Sequence, residues 1–400
     1  MIDNFEPNDE QIFATYTGEK WYHNLDKQVF EISGPAGSGK TSLVRYLIER
    51  LRLDNEDVLF CAFSGKAVSQ LAKNGLPAKT IHSAIYNYIK EPRKDENGRI
   101  IYKKGKPELS SRFVLKYRLP KNIKLIVVDE GSMVNKDLAN DLLSFGIPCI
   151  VLGDLNQLPP VFGNEFFLKD PDIKLKRIMR QCENDPIIQL SQMAINGLPL
   201  IPGIYGRSCV MTKKDLTLDL LRRNDIIITG RNSTRENINT LYRTKIKGYK
   251  TLDYPHIEEK VICRRNDWNR PIDFDNGIFL TNGTAGTVEF CDQKTFTGDT
   301  IRIDFRPDYI KKTLRNIPID YLRLKTQGLD ENCAKRDELM RKRGIDAFEY
   351  AYAITCHSAQ GSQWPNVLFL AERLYSNQDQ RKFLYTGITR AMKSVTVVLS

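Results

Sequence analysis

Short apolar runs punctuate this chain, and most are followed by a small or polar turn and then by residues at helical spacing. Val29-Phe30-Glu31-Ile32, Val58-Leu59-Phe60-Cys61-Ala62-Phe63, Leu125-Ile126-Val127-Val128, Cys149-Ile150-Val151-Leu152, Ile226-Ile227-Ile228 and Val367-Leu368-Phe369-Leu370 are close to continuously apolar. Strands buried on both faces read this way, as in parallel sheets. After the first run, Leu43, Leu47, Ile48 and Leu51 recur on one helix face, and further helices are predicted through Leu71 and Tyr242. The alternation predicts an α/β protein of parallel sheets, with ligands at the carboxyl ends of the strands.

Other stretches break the alternation. Thr80-Ile81-His82-Ser83 predicts a turn into a helix. From Val261 to Ile303 the runs are short and β-rich, punctuated by Asn276-Gly277, Asn282-Gly283 and Gly286, which predicts a small barrel-like β insert. Arg306 to Arg343 holds eleven basic and six acidic residues without a period and receives no assignment. The chain closes with a strand over Tyr350–Thr355, a helix over Phe383–Ala391 and a strand over Ser394–Leu399.

Four hundred residues with 41% apolar and 27% charged content describe an ordinary globular chain of two or three domains. No apolar run reaches the ~18 residues that span a bilayer, and Met1-Ile2-Asp3-Asn4 has no signal-like apolar core, so no membrane association is expected. The eight cysteines are scattered without a C-x-x-C, which predicts reduced thiols, a cytoplasmic setting and no zinc site. The net charge of +11 is uneven: residues 90–124 hold twelve basic and four acidic residues. Within them Asn97-Gly98 predicts a hairpin turn and Arg99–Lys104 a returning strand. This basic insert, with Tyr102, Lys103 and Lys104 at its end, fits a nucleic-acid contact better than a solvated loop.

The chemistry begins at Gly34-Pro35-Ala36-Gly37-Ser38-Gly39-Lys40-Thr41, a G-x-x-x-x-G-K-[ST] pattern between a strand and a helix. Glycines let backbone N–H groups curl around phosphate oxygens, Lys40 reaches the β- and γ-phosphates, and the Thr41 hydroxyl ligates Mg²⁺. This predicts a site for a nucleoside triphosphate, ATP with Mg²⁺. Asp129 and Glu130 end a buried strand, as a metal-holding and a water-polarising carboxylate do in such hydrolases. Gln157, after the strand over 149–152, is placed to sense the γ-phosphate, and Arg177, Arg180 and Gln181 are candidates for charge stabilisation. Ser64, Gly65 and Lys66 lie at a strand end where they could touch a phosphate backbone. His82 fits a capping or core histidine as readily as a nucleic-acid contact.

The ordered series of Gln11, the phosphate loop, Ser64-Gly65-Lys66-Ala67, Thr80-Ile81-His82, Asp129-Glu130, Gly153-Asp154…Gln157-Leu158-Pro159-Pro160, Arg180-Gln181, Thr355…His357…Gln360-Gly361 and Tyr385-Thr386…Thr389-Arg390-Ala391 resembles superfamily 1 helicases over essentially the whole chain. Gln-Leu-Pro-Pro-Val and Tyr-Thr-x-Ile-Thr-Arg-Ala resemble the RecD/Dda-like branch. The resemblance implies two RecA-like domains around ATP, over 1–84 with 123–190 and over 191–250 with 346–400. It also implies a strand-separating hairpin at 85–122 and an SH3-like insert at 251–345. Gln11 would read adenine, Gly34, Gly37, Ser38 and Gly39 would cradle phosphates, and Gln360 and Gly361 would meet the nucleotide. Arg180 and Arg390 would be arginine fingers. Ser64, Lys66, His82, Pro159, Thr355 and His357 would line a single-strand channel. Ser358 and Gln363 depart from the Lys and Glu common at these places, which weakens the transfer there. The implied activity is ATP-dependent unwinding of DNA, 5′→3′, by a monomer on single strands and junctions, alongside single-strand-binding or replication and recombination proteins. A translocase that remodels protein–DNA complexes and a non-motor ATP switch are the other classes these residues allow.

Overall fold

A computed structural model describes residues 6–400 except 93–94, 96, 104, 108, 160–165, 178–184, 251–253, 274–277, 328–332 and 374–375. The first half opens with helix α1 (Asp9–Asn24), whose Asn8 side chain accepts from the Gln11 backbone N–H while Gln11 returns a bond to the Asn8 backbone. That reciprocal capping box satisfies two donors the helix would otherwise leave bare. There follow β1 (Val29–Ser33), α2 (Lys40–Arg50), β2 (Val58–Ala62), α3 (Gly65–Lys73), β3 (Ala78–Thr80) and the single turn α4 (Ile81–Ile85). The chain then makes a hairpin from β4 (Tyr86–Pro92), β5 (Tyr102–Lys103), β6 (Lys106–Pro107) and β7 (Leu109–Leu115), and returns through β8 (Leu125–Asp129), α5 (Lys136–Leu143), β9 (Cys149–Gly153) and β10 (Ile173–Lys174).

The strands pair in parallel in the order β10-β1-β9-β8-β2-β3. Between β8 and β9, Ile126, Val128, Cys149 and Val151 pack with Ile81, Ile85 and Leu142 on one face. On the other, Val127, Ile150 and Leu152 meet Leu43, Leu47 and Trp21. The near-continuous apolar runs are thus two-faced strands, as their pattern requires.

The hairpin differs from its expected form. Asp95 organises the Asn97-Gly98 turn, accepting from the N–H groups of Asn97 and Arg99, and Gly98 has φ +77°. The returning strand shrinks to Tyr102–Lys103, however, and the long pairing is between Tyr86–Pro92 and Leu109–Leu115, further out in sequence. Alternate residues of these arms carry rings on one side: Tyr86, Tyr88 and Phe113.

The second half has α6 (Pro186–Ile195), β11 (Gly203–Tyr205), β12 (Ser208–Thr212), α7 (Leu218–Arg223), β13 (Ile226–Thr229) and α8 (Asn232–Leu241). An insert of β14 (Lys260–Cys263), β15 (Asp267–Asp273), β16 (Ile278–Leu280), β17 (Ala285–Asp292), β18 (Thr300–Pro307), β19 (Leu314–Asp320), α9 (Tyr321–Thr326), α10 (Cys333–Lys342) and β20 (Phe348–Tyr350) follows. The chain ends with β21 (Ala353–Thr355), β22 (Trp364–Ala371), α11 (Asn377–Ile388) and β23 (Ala391–Leu399). One sheet has the order β11-β12-β23-β22-β13-β21, parallel apart from β11; the insert sheet, β19-β18-β17-β14-β20, is antiparallel.

The single strand predicted over Tyr350–Thr355 is two strands in two sheets. β20 pairs with β14 in the insert and β21 with β13 in the parallel sheet, so the insert runs past residue 345 to Tyr350. The last strand starts at Ala391 rather than Ser394, and its helix at Asn377 rather than Phe383. Residues 306–343, unassigned from sequence, form the end of β18, β19 and two helices.

Buried charge pairs join the insert to the second half. Arg235 on α8 meets Glu349 on β20 at 2.8 Å, and Arg323 on α9, within the insert, also meets Glu349 at 2.7 Å. Arg243 meets Glu259 at 2.6 Å, with its guanidinium 4.0 Å from the centre of the Tyr350 ring. Asn239, fully buried, holds the crossing itself: its amide donates to the carbonyls of Tyr350 and Ala353 and accepts from the Ala353 N–H at 2.7 Å. Asn239→Ala leaves those backbone groups unpaired in the interior and should cost about 2–4 kcal/mol, read as a lowered denaturation midpoint with an unchanged m-value. A shift below half a kcal/mol by the same measurement would show the crossing holds without it.

Candidate functional site

The side-chain N-caps of the first half have one gap. Asn8, Ser64, Thr80 and Asn135 cap α1, α3, α4 and α5, each accepting from a backbone N–H. Helix α2 starts at Gly39, in left-handed backbone (φ 77°), with no side-chain cap. Its first N–H groups therefore point unspent into the loop over 34–39, where an anion is favoured. Two further features fit a phosphate there. The buried Ser38 hydroxyl has no partner, and a Cβ on Gly34 would stand 2.6 Å from it. Lys40 folds back, donating to the carbonyls of Gly34 at 2.6 Å and Pro35 at 3.1 Å.

Thr41 and Asp129 line one small cavity whose other walls are apolar, among them Val44, Phe60 and Leu152. Asp129 accepts from the Glu130 backbone N–H at 3.0 Å, and Glu130 sits in left-handed backbone, φ 55°. A glutamate in that region is held against its preference, as residues at reacting centres often are. Burial raises the Asp129 carboxyl, opposed by Lys40. Burial, then the Asp129 charge, raises Glu130, opposed by Arg390 and Lys40. Glu130 thus feels cations from both halves of the molecule.

Arg390 reaches that position from the end of α11. It is 3% exposed and is fixed by bonds to the carbonyls of Thr386 at 3.0 Å and Ser362 at 3.3 Å and to the Thr389 hydroxyl at 3.2 Å. Leu158, two residues before the undescribed stretch 160–165, makes the seam between the halves. Its side chain lies in the core of the second half, its N–H donates to Thr386 at 2.9 Å, and its carbonyl accepts from Gln360 at 2.5 Å. Gln157 is buried one residue earlier.

Gln11, expected on adenine, is fully buried; its amide accepts from the Asn8 N–H and donates to the Ser38 carbonyl at 3.1 Å, tying α1 to the phosphate loop. Gln360 is likewise engaged with Leu158, while Gly361 approaches Ser64, a Cβ there lying 3.4 Å from the Ser64 hydroxyl. Lys66 sits 4.0 Å over the Trp364 ring of the opposite half. Ser64, Lys66, Gly361 and Trp364 therefore form one patch across the two halves. Thr355 shares a 3.0 Å hydroxyl contact with Ser358, whose hydroxyl also accepts from Arg264 at 3.1 Å. His82 packs against Tyr86, Phe113 and Trp268, its ring centre 5.4 Å from that of Trp268. Pro159 is half-buried beside the seam and Tyr102 is 63% exposed on the hairpin. Arg180, Gln181 and Lys104 lie outside the described residues, as does the Lys103 side chain.

Sequence reasoning gave no role to Trp364, Arg264 or Tyr385. Tyr385 stood inside a quoted motif and Trp364 just beyond one; Arg264, in the turn after β14, carried no local signal.

The carboxylates, the uncapped phosphate-loop helix and the arginine facing them from a second parallel sheet define a P-loop α/β architecture with two RecA-like halves. Residues 19–163 match the AAA domain family, and residues 350–398 match the UvrD-like helicase C-terminal domain. The chain is 24% identical over 380 residues to the ATP-dependent RecD2 DNA helicase of Deinococcus radiodurans, covering 90% of this chain and 45% of that one. It is 29% identical over 178 residues to the ATP-dependent DNA helicase dda of Enterobacteria phage T4, covering 42% of this chain and 37% of that one. The chain spans less than half the length of these relatives. Its fold matches a structure from a study of unwinding at forked double-stranded DNA by two coordinating Pif1 helicases, with a TM-score of 0.50 at 18% identity over 98% of this chain and 92% of that one. The two family models thus match opposite ends of the chain, the AAA domain on the half with the phosphate loop and the helicase C-terminal domain on the half with Arg390.

Burial lowers both His82 and His357 below the ordinary 6.5. Above that pH the rings are neutral folded or unfolded. Below it the unfolded chain takes up protons that the folded chain refuses, so stability falls as pH drops through 6.5 toward the folded values. His82→Phe, which keeps a ring in the cluster, should flatten this acid-side fall in melting temperature. An unchanged slope would mean His82 titrates freely.

Proposed function

We propose that the chain is an ATP-dependent DNA helicase that moves 5′→3′ on single-stranded DNA and couples hydrolysis to strand separation. The supporting observation is the opposition across the seam: an uncapped phosphate-loop helix on one half, and on the other a helix bringing Arg390 within electrostatic reach of Glu130. RecD2 and dda carry the helicase description, and the shared motifs support extending it here.

In this reading Thr41 and Asp129 would hold Mg²⁺, which would neutralise charge on the phosphates of ATP. Lys40 leaves the Gly34 and Pro35 carbonyls for the phosphates, and the Ser38 hydroxyl and the N–H groups at the start of α2 complete the cradle. Glu130 accepts hydrogen bonds from the attacking water and orients it; Gln157 reads the γ-phosphate; Arg390, with Arg180 as a second candidate, meets the developing charge. The patch of Ser64, Lys66 and Trp364, with Thr355 and His357 in the second half, is the proposed grip on the strand. A lysine and rings suit phosphates and base faces of any sequence. Changing the distance between the halves each cycle turns that grip into steps.

Glu130→Gln should keep nucleotide binding and lose turnover, whereas Arg390→Ala should lose roughly 10³-fold in turnover with far less change in affinity. Steady-state hydrolysis beside fluorescent-nucleotide titration separates the two effects, and near wild-type turnover by the glutamine variant would refute the water assignment.

Direction and strand separation need a different assay. Duplexes with only a 5′ or only a 3′ single-stranded tail should give unwinding from the 5′ tail; preference for the 3′ tail would reverse the polarity. Shortening residues 93–106 to a tight turn should cripple unwinding while sparing hydrolysis stimulated by single strands, because the hairpin touches no phosphate chemistry. Equal unwinding by the shortened chain would make the hairpin a bystander and favour a translocase.

A further inference from the structure

Tyr385 lies on α11, five residues before Arg390, and its ring is completely buried. Its hydroxyl donates to Asp154 Oδ2 at 2.6 Å and accepts from the Ala36 backbone N–H at 2.9 Å. Both partners belong to the first half: Ala36 is in the phosphate loop, and Asp154 follows β9. The other Asp154 oxygen accepts from the Asn156 N–H at 3.0 Å, and its backbone carbonyl accepts from Gln157 at 3.2 Å. Asp154 therefore shapes the turn that carries Gln157.

We propose that Tyr385 is a positioning residue that locks the phosphate loop, the Gln157 turn and Arg390 into one hydrolysis-competent arrangement. The inference rests on the proposed ATP hydrolysis and adds a residue to it. The geometry constrains the motion closely. Thr386, next to Tyr385, accepts from the Leu158 N–H, and its carbonyl accepts from Arg390 Nε. A displacement of α11 that withdraws Arg390 must also pull the Tyr385 hydroxyl from Asp154, which is 2% exposed and would be left as a buried carboxylate short of a donor. The arginine, the loop and the sensor turn are thus engaged or released together. Burial, then the Asp154 charge, raises the phenol well above its ordinary value, so it remains a donor throughout the working pH range.

The test is Tyr385→Phe, which keeps the ring and removes only the hydroxyl. The expected loss in kcat is about 10- to 100-fold, the range of a hydrogen bond to a charged group, with affinity for a fluorescent ADP analogue held within about twofold. A lesion that merely loosens the fold lowers turnover in any background. Loss of positioning costs less once Arg390, one of the groups positioned, is gone, so Tyr385→Phe added to Arg390→Ala should cost several-fold less than it does in the wild-type background. Single-turnover hydrolysis of radiolabelled ATP measures all four chains, with melting temperatures alongside. A full penalty in both backgrounds, or none in the wild-type background, overturns the proposal. The comparison is made on turnover itself; a wild-type chain whose turnover ignores DNA would count against the helicase reading and still decide the role of Tyr385.

Discussion

Leu158 is the contact on which the two-sided site depends. Its backbone belongs to the first half, its side chain sits in the core of the second, and its N–H and carbonyl are both taken by second-half side chains. Apolar burial and two hydrogen bonds at one residue fix both distance and rotation, which neither would do alone. The residues placed by that seam include Gln157 immediately before it, Thr386 and Gln360 against it, and Arg390 just past the end of α11. A nucleotide site shared between two sheets needs such a joint, because each sheet carries only part of the chemistry.

The hairpin and the insert are joined by a different chemistry. Rings from the hairpin arms meet rings from the β15–β16 ribbon: Phe113 lies 4.8 Å from Trp268, and Tyr88 lies 5.5 Å from Phe279, centre to centre. The insert is fastened to its own half by Arg235 on Glu349, which Arg264 and Arg323 of the insert also meet. Removing one partner from a buried cluster leaves uncompensated charge, so such joints are stiff and specific in geometry even where they add little net stability. Ring contacts tolerate sliding and tilt better than paired charges do. The nucleotide seam, the ring contact and the ion cluster thus differ in how much motion each permits.

The sequence was most legible where burial is two-sided and the chemistry local. The runs at Leu125–Val128 and Cys149–Leu152 became central parallel strands, and the glycine loop became the uncapped start of α2, because both signals reside in consecutive residues. Legibility failed where partners are distant. Residues 306–343 show no period because Arg323 and Arg336 are consumed in buried pairs with Glu349 and Asp320, so charge there marks interior rather than surface. Tyr350–Thr355 looked like one strand because its residues are uniformly apolar; only Asn239, more than a hundred positions earlier, marks the break between sheets. Gln11 was visible as a glutamine, but its bond to Ser38 spans 27 residues and left no trace in spacing.

The second parallel sheet also imposes an order on assembly. Strand β23, the last element, lies between β12 and β22, bridging residues 208–212 to 364–371, whereas the first sheet is complete by Lys174. A chain emerging from the ribosome can therefore close its first sheet, and later its insert, while the other sheet still lacks an interior strand. Until β23 arrives, β12 and β22 each present an unpaired edge on which a neighbouring nascent chain could add. Assembly of the second sheet is thus timed by β23: the half that holds the phosphate loop can form before it, and Arg390, just ahead of β23, takes its place only with that strand.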